Sequence, residues 1–234
     1  MPLTERDFTF AVIRGDIVAV KQGLAEGVNV NARGGDPSNQ IQNTALMWAT
    51  AEGHLEIAEL LLSCGAEVEA KNASGYTALI FAAEGDRRQI VSLLLDQGAD
   101  ISNRNPYEET VLMMMARNGQ TDLVERLIQM GAEVNATNKI GDTALYLAVE
   151  RGQLYTVQAL ITHGATVNTA NIGGWTPLMM AAAQGSLEIM ALLLNHGADF
   201  RPQNRWGDTA LSEARKSFRA NRAVELLMRA GATE

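Results

Sequence analysis

Six threonines, Thr44, Thr77, Thr110, Thr143, Thr176 and Thr209, stand 33 residues apart without a slip. A fixed period of this length means stacked copies of one supersecondary unit, none of which can bury its apolar face alone. Other positions keep the same step. Leu46, Leu79, Leu112, Leu145, Leu178 and Leu211 follow two residues after the threonines. Leu61, Leu94, Leu127, Leu160 and Leu193 follow after seventeen, and a Gly-Ala pair begins after twenty-one at Gly65, Gly98, Gly131, Gly164 and Gly197.

Within each unit apolar residues recur at helical spacing on both sides of a central glycine (Gly53, Gly119, Gly152, Gly185), so the unit reads as two short helices. Glycine there accommodates positive φ between the helices, and the glycine of the Gly-Ala pair closes the second helix in the left-handed conformation. The Asn- and Gly-rich stretches that follow, such as 135–142, have turn chemistry. Small Ala49, Ala82, Ala148, Ala181 and Ala214 let neighbouring helices approach closely.

The run Thr176-Pro177-Leu178, then Ala181-Ala182, Gly185, Leu192-Leu193-Leu194 and Gly197-Ala198-Asp199, resembles the ankyrin repeat, whose signature includes T-P-L-H and G-A-D-V-N. The resemblance spans nearly the whole chain. It implies an all-α solenoid of about seven helix-turn-helix units with extended inter-repeat turns. These would form a single domain over residues 1–234, with an N-terminal capping repeat at 1–35, five internal repeats at 36–208 and a C-terminal capping repeat at 209–234. Phe8, Ala11, Gly15 and Gly27-Val28-Asn29-Val30-Asn31 outline the first cap. The signature histidine is replaced throughout, by Met47, Ile80, Met113, Tyr146, Met179 and Ser212, which makes the first helices more apolar than is usual for the family.

Three irregularities break the period. Five extra residues around Arg33-Gly34-Gly35-Asp36-Pro37 predict a protruding first finger. One extra residue falls near 217–221. In the third unit the glycine comes one place early, at Gly85, with Asp86 in its usual slot and Arg88 where Leu55 stands earlier, which predicts looser packing there.

A net charge of −8 and a pI near 5.0 oppose a nucleic-acid partner, since phosphate binding needs clustered Lys and Arg. No apolar run approaches the ~20 residues of a membrane span. The single cysteine, Cys64, and an N-terminus without an apolar leader predict a cytoplasmic protein. Cys64, His163 and His196 share one slot at the end of the second helix in different units. Stacked helices keep such residues roughly 8–10 Å apart, too far for one metal. His54 lies in an inter-helix turn and reads as structural. No nucleophile, metalloprotease or phosphate-loop motif stands in its proper context, so neither catalysis nor a cofactor is expected.

The resemblance places the inter-repeat turn tips and first helices on a concave binding surface. Three residues before the threonines come Ile41, Ser74, Tyr107, Ile140, Gly173 and Trp206, and one residue before them Asn43, Tyr76, Glu109, Asp142, Trp175 and Asp208. Ile41, Tyr76, Tyr107, Ile140, Trp175 and Trp206 are the candidate partner-binding residues, because large rings on protruding turns anchor protein interfaces. Glu109, Asp142 and Asp208, against Arg117, Lys139 and Arg151, are the expected flanking charges that steer a partner. A second candidate is basic. Residues 201–234 hold seven Arg or Lys against four acids, net +3, with Arg215, Lys216, Arg219 and Arg222 clustered. The resulting expectation is a monomeric, non-catalytic scaffold that binds a protein or peptide; the alternatives are a self-associating subunit and a small-ligand receptor. The resemblance also implies that Asn135 and Asn168 match asparagines hydroxylated in eukaryotic ankyrin repeats, although the residues by themselves read as ties between adjacent turns.

Overall fold

The computed structural model describes residues 3–33 and 41–233. Gly34, Gly35, Asp36 and Pro37 of the expected first finger lie outside the described residues. Among the described residues the chain is helical, without a strand. Fourteen helices follow in seven pairs: α1 Glu5–Arg14 and α2 Ile17–Ala25; α3 Ala45–Glu52 and α4 Leu55–Ser63; α5 Ala78–Glu84 and α6 Arg88–Asp96; α7 Val111–Arg117 and α8 Thr121–Gln129; α9 Ala144–Glu150 and α10 Leu154–Thr162; α11 Pro177–Gln184 and α12 Leu187–Asn195; α13 Ala210–Lys216 and α14 Ala220–Arg229. The chain divides into two compact units, 1–106 and 107–234. In the first, α1 packs on α2 and α3, α3 on α4 and α5, and α6 on α4 and α5. In the second, α7, α9, α11 and α13 form one layer and α8, α10, α12 and α14 another, each pair bridging the two.

The periodic threonines are helix starts. Each caps its first helix, the hydroxyl accepting from the backbone N–H three residues on: Met47 3.3 Å, Ile80 3.4 Å, Met113 3.3 Å, Tyr146 3.2 Å, Met179 3.2 Å and Ser212 3.2 Å. A cap of this kind stabilises a helix by about 1 kcal/mol, which matters for helices of only seven or eight residues. Leu46, Leu61, Leu79, Leu94, Leu112, Leu127, Leu145, Leu160, Leu178, Leu193 and Leu211 are all buried, as are the five small alanines. Met47, Ile80, Met113, Tyr146 and Met179 are buried too, so the replaced histidines have become core.

The period's irregularities have local outcomes. Asp86 takes the left-handed slot at φ 53° while Gly85 stays at −78°. The expected loosening does not reach the core there, because α6 still buries Ile90, Val91, Leu94 and Leu95; only a surface cleft of ≈ 410 Å³ opens around Asp86, Arg87 and Arg88. The last inter-helix turn, Ser217 to Arg219, absorbs the extra residue with Ser217 extended (ψ 157°) where other units are left-handed.

Side chains from one repeat close the helix ends of the one before. The His54 ring lies 3.1 Å from the Ile13 carbonyl through Nε2 and therefore donates to the end of α1. Arg87 donates to Ala51 (3.3 Å), Gln153 to Arg117 (3.4 Å) and Gln184 to Glu150 (2.6 Å). Each satisfies a carbonyl that the helix itself cannot. His54 is structural for that reason.

Candidate protein-binding surface

Between one pair of helices and the next the chain makes a hairpin turn whose tip is fixed from inside. Asn72, Asn138, Asn171 and Asn204, five residues before their threonines, each accept two backbone N–H groups on Oδ1, at 2.9–3.1 Å, from the residues two and four positions on. The turn closes with a left-handed residue two before the threonine: Gly75, Gly141, Gly174 and Gly207, but also Gln42 (φ 54°) and Glu108 (φ 61°). Successive tips are joined by a backbone rung. Ala73 N–H donates to Ile41 in the first unit; in the second, Lys139 donates to Tyr107, Ile172 to Ile140 and Arg205 to Gly173, all at 2.9–3.0 Å. With its backbone groups committed this way, a tip projects side chains from a rigid support.

In the second unit these side chains form an apolar strip. Tyr107 is 66% exposed, Ile140 58% and Trp206 71%. Ile172, which the spacing of the threonine-linked slots did not single out, is 54% exposed and its N–H is the rung to Ile140. Trp175 is half-buried and flanks Gly173 together with Trp206: a Cβ at Gly173 would lie 3.2 Å from Trp175 Cδ1 and 3.9 Å from Trp206 Cζ3. In the first unit Ile41 is exposed, whereas Tyr76 is half-buried and stacks on Phe81 with centroids 4.9 Å apart. Trp48 and Phe81 on the first helices, and Met180 in the second unit, are also half-buried; their slot four residues after the threonine was the available signal.

The charges expected to flank the row are placed differently. Glu109 and Asp142 are buried and do not face a partner. Glu109 is paired with Arg117. Asp142 accepts from Asn171 Nδ2 at 2.9 Å. Burial pushes its carboxyl above the usual range, with Glu150 adding to the rise and the Asn171 hydrogen bond opposing it. Tyr146 beside it is pushed up by burial and by the charges of Asp142 and Glu150. Lys139 and Arg151 are exposed.

In the basic cap, Lys216 bridges Asp208 and Glu213, both at 2.9 Å, and its hydrogen bond to Asp208 holds that carboxyl below its ordinary value. Arg219 lies over the Phe218 ring at 5.2 Å. Arg222 lines clefts of ≈ 330 and ≈ 460 Å³ beside α14. Arg215 is exposed and engaged in the same region. So the cap is less positive than its sequence suggests, Lys216 being neutralised where it stands.

Cys64, His163 and His196 are exposed at the ends of α4, α10 and α12. Among the described residues no three His, Cys, Asp or Glu side chains come together as a metal site, and no helix is long and apolar enough to cross a membrane. Asn135 and Asn168 tie neighbouring turns: Asn135 accepts from Thr166 N–H (2.8 Å) and donates to Gly164 (3.1 Å), and Asn168 accepts from Asp199 N–H (2.8 Å) and donates to Gly197 (3.0 Å).

Paired helices at a 33-residue period, threonine caps and asparagine-braced tips define a repeat scaffold, and matches to ankyrin repeats cover residues 8–105, 102–171 and 168–233. The chain belongs to the ankyrin-repeat family. It is similar to the ankyrin repeat domain of human ASB11 (28% identity, TM-score 0.81, 97% of this chain and 99% of that one). It is also similar to that of Bcl-3, a member of the IkappaB protein family (29%, 0.72, 94% and 97%), and to an ankyrin repeat domain from Acinetobacter baumannii AYE (30%, 0.71, 80% and 98%). No curated protein sequence matches it. Domains of this family are generally protein-interaction modules and typically non-catalytic.

Proposed function

We propose that this chain is a non-catalytic scaffold that binds a protein or peptide through the hairpin tips of residues 107–234. The supporting observation is the strip of Tyr107, Ile140, Ile172 and Trp206, large apolar side chains at 54–71% exposure on tips whose backbone is already hydrogen-bonded. Anchors held on a rigid support lose little freedom on binding, and exposed aromatic rings gain most from desolvation. A cytoplasmic setting, suited to the lone exposed Cys64, belongs to the same reading.

The test is affinity capture from the lysate of the cells that express the protein, with wild type beside Trp175→Ala/Trp206→Ala, and with Tyr107→Ala as a variant at a mostly exposed ring. Circular dichroism and melting curves must first show that all three fold equally. A protein retained by wild type and lost from the variants supports the tips. Equal retention by all three removes them and redirects attention to Arg215, Arg219 and Arg222.

A further inference from the structure

The turn-bracing asparagines differ in one respect. Because Oδ1 accepts two backbone N–H groups, a flipped amide would set its NH₂ against two donors; the orientation is therefore determined, and Nδ2 points away from its own turn. What it meets depends on the repeat before. Asn72 Nδ2 donates to Asn43 Oδ1 at 2.7 Å, and Asn171 Nδ2 to Asp142 Oδ1 at 2.9 Å. Both acceptors occupy the slot just before a threonine. Where that slot holds Tyr76, Asn105 Nδ2 turns to Glu84 Oε1 at 2.9 Å. For Asn204 the slot holds Trp175, which offers no acceptor. Among the described residues, Asn204 Nδ2 is the one buried side-chain nitrogen or oxygen without a partner, in a residue only 6% exposed.

The same place lacks a tip side chain. Ile41, Ser74, Tyr107, Ile140 and Trp206 fill the position three before the other threonines, but here it is Gly173. Any side chain at Gly173 would occupy the gap between Trp175 and Trp206. A missing acceptor, a missing side chain and two flanking indoles thus coincide. Glycine at such a point lets another backbone approach closely. Trp206, mostly in solvent, has little packing to restrain its ring.

We propose that Asn204 Nδ2, Trp175 and Trp206 form a subsite for a carboxylate side chain carried on an extended segment of the partner protein, its backbone passing over Gly173. This rests on the hairpin-tip reading above and names the chemistry recognised there. Two observations select a carboxylate. The acceptors that complete the equivalent donors include the carboxylates of Asp142 and Glu84. Residues 201–234 are net positive in a chain of net charge −8, with Arg205 exposed beside Asn204 and the nearby Asp208 already bridged by Lys216. A buried donor left unpaired is costly, and a charged acceptor restores the bond in its stronger form.

The test uses the full chain, ¹⁵N-labelled, titrated to millimolar with the capped pentapeptide Gly-Leu-Asp-Leu-Gly and with its counterpart carrying lysine for aspartate. The aspartate peptide should shift the Asn204 Nδ2 and the Trp175 and Trp206 indole signals, and bind roughly tenfold or more tightly than the lysine peptide, the scale of one charge-assisted hydrogen bond. Asn204→Asp keeps the acceptor for the Trp206 and Asp208 N–H groups, so it should fold, melting somewhat lower at pH 7 because its carboxylate is buried, but it removes the donor and should abolish the preference. An unmoved Asn204 signal, or equal preference in Asn204→Asp, overturns the subsite. If Asn204→Asp binds as wild type does while Trp175→Ala/Trp206→Ala loses the captured protein, the tip surface stands and the subsite fails; if neither substitution matters, both readings fail.

Discussion

The hairpin tips of residues 1–106 and of residues 107–234 share one backbone and present different chemistry. In both, an asparagine braces the turn, a left-handed residue closes it and a rung joins tip to tip. In the first unit the ring one before the threonine, Tyr76, turns back onto Phe81, and its tip neighbour is Ser74. In the second, Tyr107, Ile140 and Trp206 stand into solvent. The repeat therefore fixes the support, and the variable slots one and three residues before the threonine decide whether a tip side chain folds back onto its repeat or stands in solvent.

The sharpest way to break this comparison is to substitute the same turn glycine in each unit. Gly174 has φ 77°, and a Cβ there would lie 2.9 Å from Asn204 Cα; Gly75 has φ 82° with nothing within 4 Å. Gly174→Ala should cost about 3 kcal/mol, backbone strain plus overlap, and Gly75→Ala about 1 kcal/mol from strain alone, measured by urea unfolding. Equal costs would mean that tips in the second unit are no more tightly joined than those in the first. Ion pairs come next. Arg117→Ala removes the ion pair made by a buried carboxylate, Glu109, and should cost about 2 kcal/mol, whereas Lys21→Ala breaks an exposed pair with Glu56 and should cost less than about 1 kcal/mol.

Smaller effects refine the picture. Glu108 holds φ 61° where the other second-unit tips have glycine, so Glu108→Gly should raise stability by about 0.5 kcal/mol in thermal unfolding; a loss would show that the Glu108 side chain contributes more than its backbone strain costs. The smallest effect concerns Asp142, whose equivalent in the first unit is the neutral Asn43. Burial raises the folded carboxyl above its unfolded value of 3.8. The fold thus favours the protonated form, a contribution fully present below the unfolded value and lost as pH rises through the folded one. Asp142→Asn, which still offers Asn171 an oxygen, should melt higher than wild type at pH 7, with the difference shrinking toward pH 4. A lower melting point at pH 7 would contradict the assignment of burial as the dominant influence.

Much of this architecture was legible because the 33-residue step repeats apolar and glycine positions together, and helical spacing then gives both helices of each pair. The exposed candidates Ile41, Tyr107, Ile140 and Trp206 were legible for the same reason, since all four stand in the variable slot three residues before a threonine. What the sequence could not show are consequences of stacking. Asp142 looks like a surface charge until Asn171 of the next repeat, 29 residues on, closes over the slot, and Glu109 until Arg117 pairs with it on the buried side. Tyr76 looks like a projecting ring until Phe81, on its own repeat's first helix, receives it. The bracing asparagines Asn72, Asn138, Asn171 and Asn204 were visible at the same period but read only as turn composition; their dual use of Oδ1 requires the turn's geometry. Asp86 shows the reverse case, a non-glycine residue held in a glycine conformation because neighbouring repeats set the register.

The chain's three tryptophans give the most direct test of the account, because Trp175 and Trp206 flank the proposed surface and Trp48 lies on α3 in the first unit. With ¹⁵N-labelled protein, the indole N–H signals should be followed as the captured partner is added. Recognition at the hairpin tips predicts that the Trp175 and Trp206 signals shift or broaden while Trp48 stays in place. Movement of Trp48 with Trp175 and Trp206 unchanged would contradict it and put recognition on the first helices of residues 1–106.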